Sequence, residues 1–146
     1  MWVGAGSAFL AFFLGTAACT SDGPNPITWR YSFDRAADEQ AARGMVGAIL
    51  EGGCDSGNDV LFSVTWPADG APDGVPPPQL ESGTYGFVVV ALDATCHIIA
   101  RDCDSVDVPQ DTDPIEMGLD EVSAGPLVCD TALDCVDGLC AGEPNI

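Results

Sequence analysis

Alternation of apolar and polar residues with a period of two runs through this chain and is densest between residues 84 and 92. There Tyr85, Phe87, Val89 and Ala91 fall on one face and Gly86, Val88, Val90 and Leu92 on the other. Both faces are apolar, as in a strand covered on both sides, so this segment is expected at the centre of the fold. Gly83 marks the turn into it and Asp93, Ala94 and Thr95 the turn out. Upstream, Trp29, Tyr31 and Phe33 alternate with Thr28, Arg30 and Ser32, which predicts a half-buried first strand. In residues 60–66, Val60, Phe62, Val64 and Trp66 alternate with Leu61, Ser63 and Thr65. Residues 97–101 and 106–108 read as one irregular strand or two short ones. Ile115, Met117 and Leu119 predict a last alternating strand.

Between these strands the chemistry changes. Residues 34–43, DRAADEQAAR, combine a capping candidate in Asp34 with alanine and straight-chain side chains, which predicts a short helix. Residues 44–50, GMVGAIL, fit either of two patterns. Ala37, Ala41, Met45 and Ala48 would continue a helical face, whereas the glycines and the short apolar run suit a strand in a hairpin with residues 60–66. The strand is the favoured reading. Residues 67–82 are too rich in Pro and Gly for a central strand and read as a surface loop. The end of the chain, 129–146, has no periodic signal and is expected to be held by its cysteines.

Short strands separated by turn signals across residues 27–122 predict an all-β fold, an antiparallel β-sandwich with a short helix after the first strand. Residues 80–93, LESGTYGFVVVALD, carry Leu80, Gly83, Tyr85, Phe87, Val89, Ala91 and Asp93 in the spacing L-x-x-G-x-Y-x-F-x-V-x-A-x-D. In this the segment resembles a strand of immunoglobulin-like, fibronectin-type-III-like and carboxypeptidase-regulatory-like modules. The resemblance covers about 14 residues and implies an immunoglobulin-like architecture; such modules share a fold without sharing a function.

Composition alters the picture at two points. The 146 residues hold 23 acidic side chains against four arginines, no lysine and one histidine, a formal charge of −19. Such a field repels phosphate, so nucleic acid is excluded as a partner, and a solvated acidic surface is the main expectation. Residues 1–18, MWVGAGSAFLAFFLGTAA, contain no charged side chain and are too short for a comfortable membrane span. That is the form of a cleaved export signal. With Ala17 and Ala18 before Cys19, the junction resembles a bacterial lipobox, although Thr16 stands where that pattern has leucine. The resemblance implies diacylglycerol on the Cys19 sulfur, acylation of the palmitate type and a lipid anchor in the cell envelope, at the outer membrane or cell surface. The expected organisation is a signal peptide over 1–18, a tether over 19–26, the β-sandwich over 27–122 and a cysteine-containing tail over 123–146. Gly52-Gly53-Cys54 with Asp93, Cys96 and Cys103 is also similar to extracytoplasmic lipoproteins of myxobacterial type.

Cys54, Cys96, Cys103, Cys129, Cys135 and Cys140 remain, an even number in a chain read as exported, so disulfides are expected at all six. Sequence does not choose among the connectivities. Proximity along the chain favours Cys96–Cys103 and Cys135–Cys140, leaving Cys54 to Cys129. A zinc site is disfavoured, because these cysteines lack the two-to-four-residue spacing of paired ligands except at 135–140.

Candidates for other chemistry are sparse. Cys96 and His97 are neighbours in a strand-like segment, which would point them to opposite faces rather than pair them as nucleophile and base. Asp111, Asp113 and Glu116 are weak candidates for a Ca²⁺ loop, since calcium needs six to eight oxygens and the EF-hand spacing is absent. Trp66 is the one aromatic weighed for carbohydrate stacking. The sequence therefore reads as a secreted, lipid-anchored structural or protein-interaction module without catalytic activity or cofactor, whose partners are the membrane and an unidentified envelope protein. The alternative is a small carbohydrate- or Ca²⁺-binding module.

Overall fold

The computed structural model describes residues 27, 29–55, 57, 59–70, 79–109, 114–123 and 125–146. Its strands are β1 (Trp29–Phe33), β2 (Gly44–Glu51), β3 (Val60–Pro67), β4 (Gly83–Leu92), β5 (Ile98–Val108), β6 (Ile115–Glu121), and the two-residue β7 (Cys135–Val136) and β8 (Leu139–Cys140). One short helix, α1 (Ala36–Ala41), joins β1 to β2. The six long strands form one sheet in the order β1-β6-β5-β4-β2-β3. The fold is therefore mostly β, with one short helix where the sequence places it.

The segment 44–50 is a strand. It lies between β3 and β4, antiparallel to both, and the six residues Gly44 to Ile49 are all buried. A helix continuing from α1 is stopped at Ala42, whose ψ of 135° is extended. The helix is also shorter than 34–43, and Asp34 does not cap it: the capping position is Arg35, which makes no side-chain cap. Asp34 instead extends the β1 ladder, its amide donating to Leu119 O. Residues 98–108 form one continuous strand, antiparallel to β4 over nearly its whole length.

The antiparallel sandwich expected from the sequence is replaced by a single curled sheet of mixed direction. β1 runs parallel to β6, with Trp29 opposite Ile115 and Phe33 opposite Leu119. The crossover through α1, β2, β3, β4 and β5 brings β6 back alongside β1 in the same direction, so the sheet is mixed. β5 and β6 pair only at Ala100–Glu121 and Arg101–Asp120. Beyond that point the strands part, and the Asp102 carboxylate fills the gap by accepting from Gly118 N at 2.9 Å and Cys103 N at 2.7 Å. The β6–β1 pair then curls back over the sheet: the Trp29 ring meets Phe87 on β4 edge-on, centroids 5.3 Å apart.

Two cores result. The first lies under β1 and β6, where Met45, Ile49, Phe87, Val89, Met117 and Leu119 pack with half-buried Trp29 and Tyr31. The second lies on the opposite face, where Val46, Ala48, Val88, Val90, Leu92 and Ile98 meet Val128. The tail supplies that cover. Ile98 N donates to Pro126 O, Val128 N to Cys96 O and Asn145 N to Val128 O, which lays 126–128 along the start of β5 and the chain end over 128. The double apolar pattern of β4 is thus answered by a strand layer on one side and an irregular, cysteine-held layer on the other.

Candidate functional site

All six cysteines of the described chain are paired: Cys54–Cys103, Cys96–Cys135 and Cys129–Cys140. The pairing expected from proximity along the sequence is replaced at every bond. Cys96 and Cys103 lie seven residues apart, six of those residues belonging to β5 itself. At about 3.3 Å per residue their Cα atoms are roughly 20 Å apart, far beyond the ~7 Å a disulfide tolerates. Cys103 is instead reached by the β2–β3 loop. Gly52 and Gly53, at φ of 83° and 111°, fold that loop flat across β4. The approach is close enough that a Cβ on Gly86 would come 2.5 Å from Gly53 O. Cys54 N donates to Ser105 Oγ at 3.0 Å, next to the bond.

The other two disulfides belong to the tail and lie against each other. Sγ of Cys96, Cys129 and Cys140 are all within 4.8 Å of one another, with Cys96 and Cys129 buried and Cys140 half-buried. Cys135, bonded to Cys96, is also half-buried. Four sulfurs are therefore gathered in one place. They are bonded in pairs, and a disulfide sulfur is not a thiolate ligand for zinc. The gathering depends on a tight hairpin, in which Asp137 and Gly138 take φ of 49° and 82° between β7 and β8. Positive φ at both positions is what a two-residue type I′ turn requires, and Asp-Gly is among the pairs that supply it. Gly138 lies so close under Gly44 that a Cβ on either would overlap the other's backbone. The preceding single turn, residues 132–134, is closed by a reciprocal cap between Thr131 and Asp134.

The turn before β5 presents Cys96 to this cluster. Asp93 Oδ1 accepts from Thr95 N at 2.8 Å, Thr95 Oγ1 at 2.7 Å and His97 N at 3.0 Å. Burial is the largest single influence on Asp93 and pushes its carboxyl up. The hydrogen bonds from the Thr95 hydroxyl and the His97 and Thr95 amides, with the charge of His97, outweigh it, so the net shift is downward. Cys96 takes a left-handed φ of 61°. Its side chain is buried while His97 is exposed, with Nδ1 3.0 Å from Thr95 Oγ1. The two neighbours thus face different surroundings, and the Cys96 sulfur is committed to Cys135.

A second concentration of chemistry is acidic and lies where β1 ends beside β6. The Asp34 carboxyl is raised above the ordinary 3.8, first by its side-chain hydrogen bond with Asp120, then by burial and by the charges of Asp120 and Asp102. With Asp34 holding the proton longer in the folded state than in the unfolded chain, the folded state binds more protons just above pH 3.8, and stability falls as pH rises through the folded value. Asp93 acts in the opposite sense: its contribution is present above the ordinary value and is lost as pH falls through its lowered one. Asp34→Asn is expected to remove the downward slope that begins above the ordinary carboxyl value, because the amide donates to Asp120 at every pH. Urea midpoints of both proteins from pH 4 to 7 at low salt check this; parallel profiles would show that Asp120 does not raise the Asp34 carboxyl.

The remaining residues singled out from sequence do not converge. Cys19, Asp111 and Asp113 lie outside the described residues. Glu116 is exposed on β6 and pairs with Arg30 on β1 at 3.8 Å, an arrangement of little energetic weight. Trp66 is 6% exposed, tilted against Tyr31 with Nε1 3.5 Å from its hydroxyl. A ring buried to that extent has no face for a sugar to stack on, so Trp66 is a core residue. The sulfur cluster was not visible in sequence as a cluster, although Asp137-Gly138 between Val136 and Leu139 is a hairpin signal and Asp93-x-Thr95 a turn signal.

Taken together, fold and site define a mostly-β domain of mixed sheet, cross-linked by three disulfides. Comparison of the chain with protein-family models, with curated proteins and with solved structures finds no match.

Proposed function

We propose that this chain is a lipid-anchored, extracytoplasmic module that serves structure or protein contact and carries out no catalysis. The observation that carries the reading is the pairing of all six cysteines after residue 19. Disulfides persist in oxidising compartments and are rare where thiols are kept reduced. An apolar, uncharged N-terminal run ending at Cys19 supplies both the route out of the cytoplasm and the anchor. The layered arrangement, in which β1 and β6 lie over one face of the sheet, supports an architecture related to the immunoglobulin-like sandwich, a scaffold used widely to present surfaces. The partner is a protein of the envelope, and the strongly acidic surface favours a basic one.

The test is made at the anchor. A single acyl chain holds a protein to a membrane only marginally, and the diacylglyceryl group supplies two. Cys19→Ser is expected to release the protein from the membrane fraction or to leave it unprocessed. Unchanged fractionation together with unchanged gel mobility would rule the lipid anchor out.

A further inference from the structure

We propose that Cys96, Cys129, Cys135 and Cys140 form a thiol–disulfide exchange centre, through which a small external thiol switches the tail between two pairings of the same four sulfurs. Two observations carry this. Cys96 Sγ lies within 4.8 Å of both Cys129 Sγ and Cys140 Sγ, although it is bonded to neither. Cys135 and Cys140 are opposed Cα partners across the β7–β8 hairpin, although they too are not bonded to each other. Opposed residues of an antiparallel pair have Cα atoms about 4.5–5.5 Å apart, inside the range that a disulfide spans. The alternative set, Cys96–Cys129 with Cys135–Cys140, thus joins two sulfurs that are already neighbours and two residues that already face each other across a hairpin.

The exchange balances without net oxidation or reduction. The external thiolate attacks Cys135 Sγ, which is half-buried where its partner is fully buried. The Cys96–Cys135 bond breaks, its electron pair leaves on Cys96, and a mixed disulfide remains at Cys135. The Cys96 thiolate attacks Cys129 Sγ, forms Cys96–Cys129 and expels Cys140 as thiolate. Cys140 then attacks Cys135 Sγ in the mixed disulfide, closes Cys135–Cys140 and returns the external thiolate. The thiol is a catalyst and three exchanges complete the switch.

The consequence is mechanical. In the observed pairing, Cys135 fastens the hairpin to the turn before β5 and Cys140 fastens it to Cys129. In the alternative pairing residue 129 is held to Cys96, while the hairpin is closed only on itself and is held to the sheet by packing alone, chiefly that of Gly138 against Gly44. The segment released carries Leu133 and Val136, 93% and 68% exposed, the two most exposed large apolar side chains among the described residues. The third disulfide, Cys54–Cys103, takes no part and serves as an internal reference.

The experiment incubates the oxidised full chain with less than one equivalent of reduced glutathione, without denaturant, followed by acid quench and peptide mapping without reduction. Cys96–Cys129 and Cys135–Cys140 peptides are expected to appear, absent without thiol. Their initial rate should double when glutathione is doubled, with the Cys54–Cys103 peptide unchanged. Persistence of the original pairs at every glutathione level would overturn the proposal. So would new pairs that recruit Cys54 and Cys103 equally, because that is scrambling of an unfolded chain. Cys135→Ser supplies an independent reading: Cys96, left without its partner, is expected to be found bonded to Cys129 or Cys140 in part of the molecules. A variant that folds with Cys96 wholly free and Cys129–Cys140 intact would sink the idea; should this variant not fold, the wild-type map still decides.

Discussion

Phe87→Ala is expected to lower the stability of the folded domain by about 3–5 kcal/mol, the range for deleting a fully buried aromatic ring. Phe87 has no exposed surface and lies on β4, hydrogen-bonded to β2 on one side and β5 on the other. The loss is compounded at the Trp29 ring, which meets Phe87 edge-on, because an aromatic pair of that geometry contributes about 0.5–1.5 kcal/mol beyond its burial. A domain of this size has roughly 5–15 kcal/mol in all, so the variant should be marginal at room temperature. Because Trp29 belongs to β1, the curled β1–β6 layer should loosen before the central strands do. Chemical denaturation followed by tryptophan fluorescence measures both effects. A variant as stable as the parent would show that β4 is not the strand on which the two cores are built.

Removing the disulfide that ties the tail to the turn before β5, with Cys96→Ala and Cys135→Ala together, is the second large effect. Cys129–Cys140 closes only 11 residues within the tail, and Cys54–Cys103 does not involve the tail. Cys96–Cys135 spans 39 residues, for which loop entropy alone gives about 4 kcal/mol, an upper figure before native strain is subtracted. The double variant is expected to expose the second core, because Val46, Val90 and Leu92 are covered there together with Val128. Amide exchange should accelerate at Ile98, Val128 and Asn145, the donors that hold 126–128 and the chain end in place. Unchanged protection at these three amides would mean that packing holds the tail without the disulfide.

The candidate site was less legible in sequence than the strands around it. Each sulfur could be assigned to a bond, since an even set of cysteines in a chain read as exported implies full pairing. Which sulfurs meet depends on where β5 carries Cys103 away from Cys96 and on the flat path of Gly52 and Gly53 over Gly86. Neither the length of β5 nor a backbone approach of that kind leaves a periodic signal. The acidic pair Asp34 and Asp120 was hidden for a related reason: the two residues are 86 positions apart in sequence and meet only because β1 lies beside β6.

By itself the sequence determined the faces of the strands. Trp29, Tyr31 and Phe33 against Arg30 and Ser32, or Ile115, Met117 and Leu119 against Glu116 and Asp120, state which side is inward, because side chains alternate with a period of two whatever the neighbour. It determined likewise that β4 must be covered twice, from the apolar residues on both its faces, and that the cysteines would pair. Tertiary structure decided what does the covering, in which direction β1 runs, and which cysteine meets which. A period-two pattern is the same for a parallel and an antiparallel partner, so nothing in residues 29–33 distinguishes the parallel pairing with β6 from the antiparallel one expected. Val128 and Ile146 cover the second face from a segment without periodicity, and a disulfide answers only to a Cα separation of a few ångströms, which is set by the register of strands far apart in the chain.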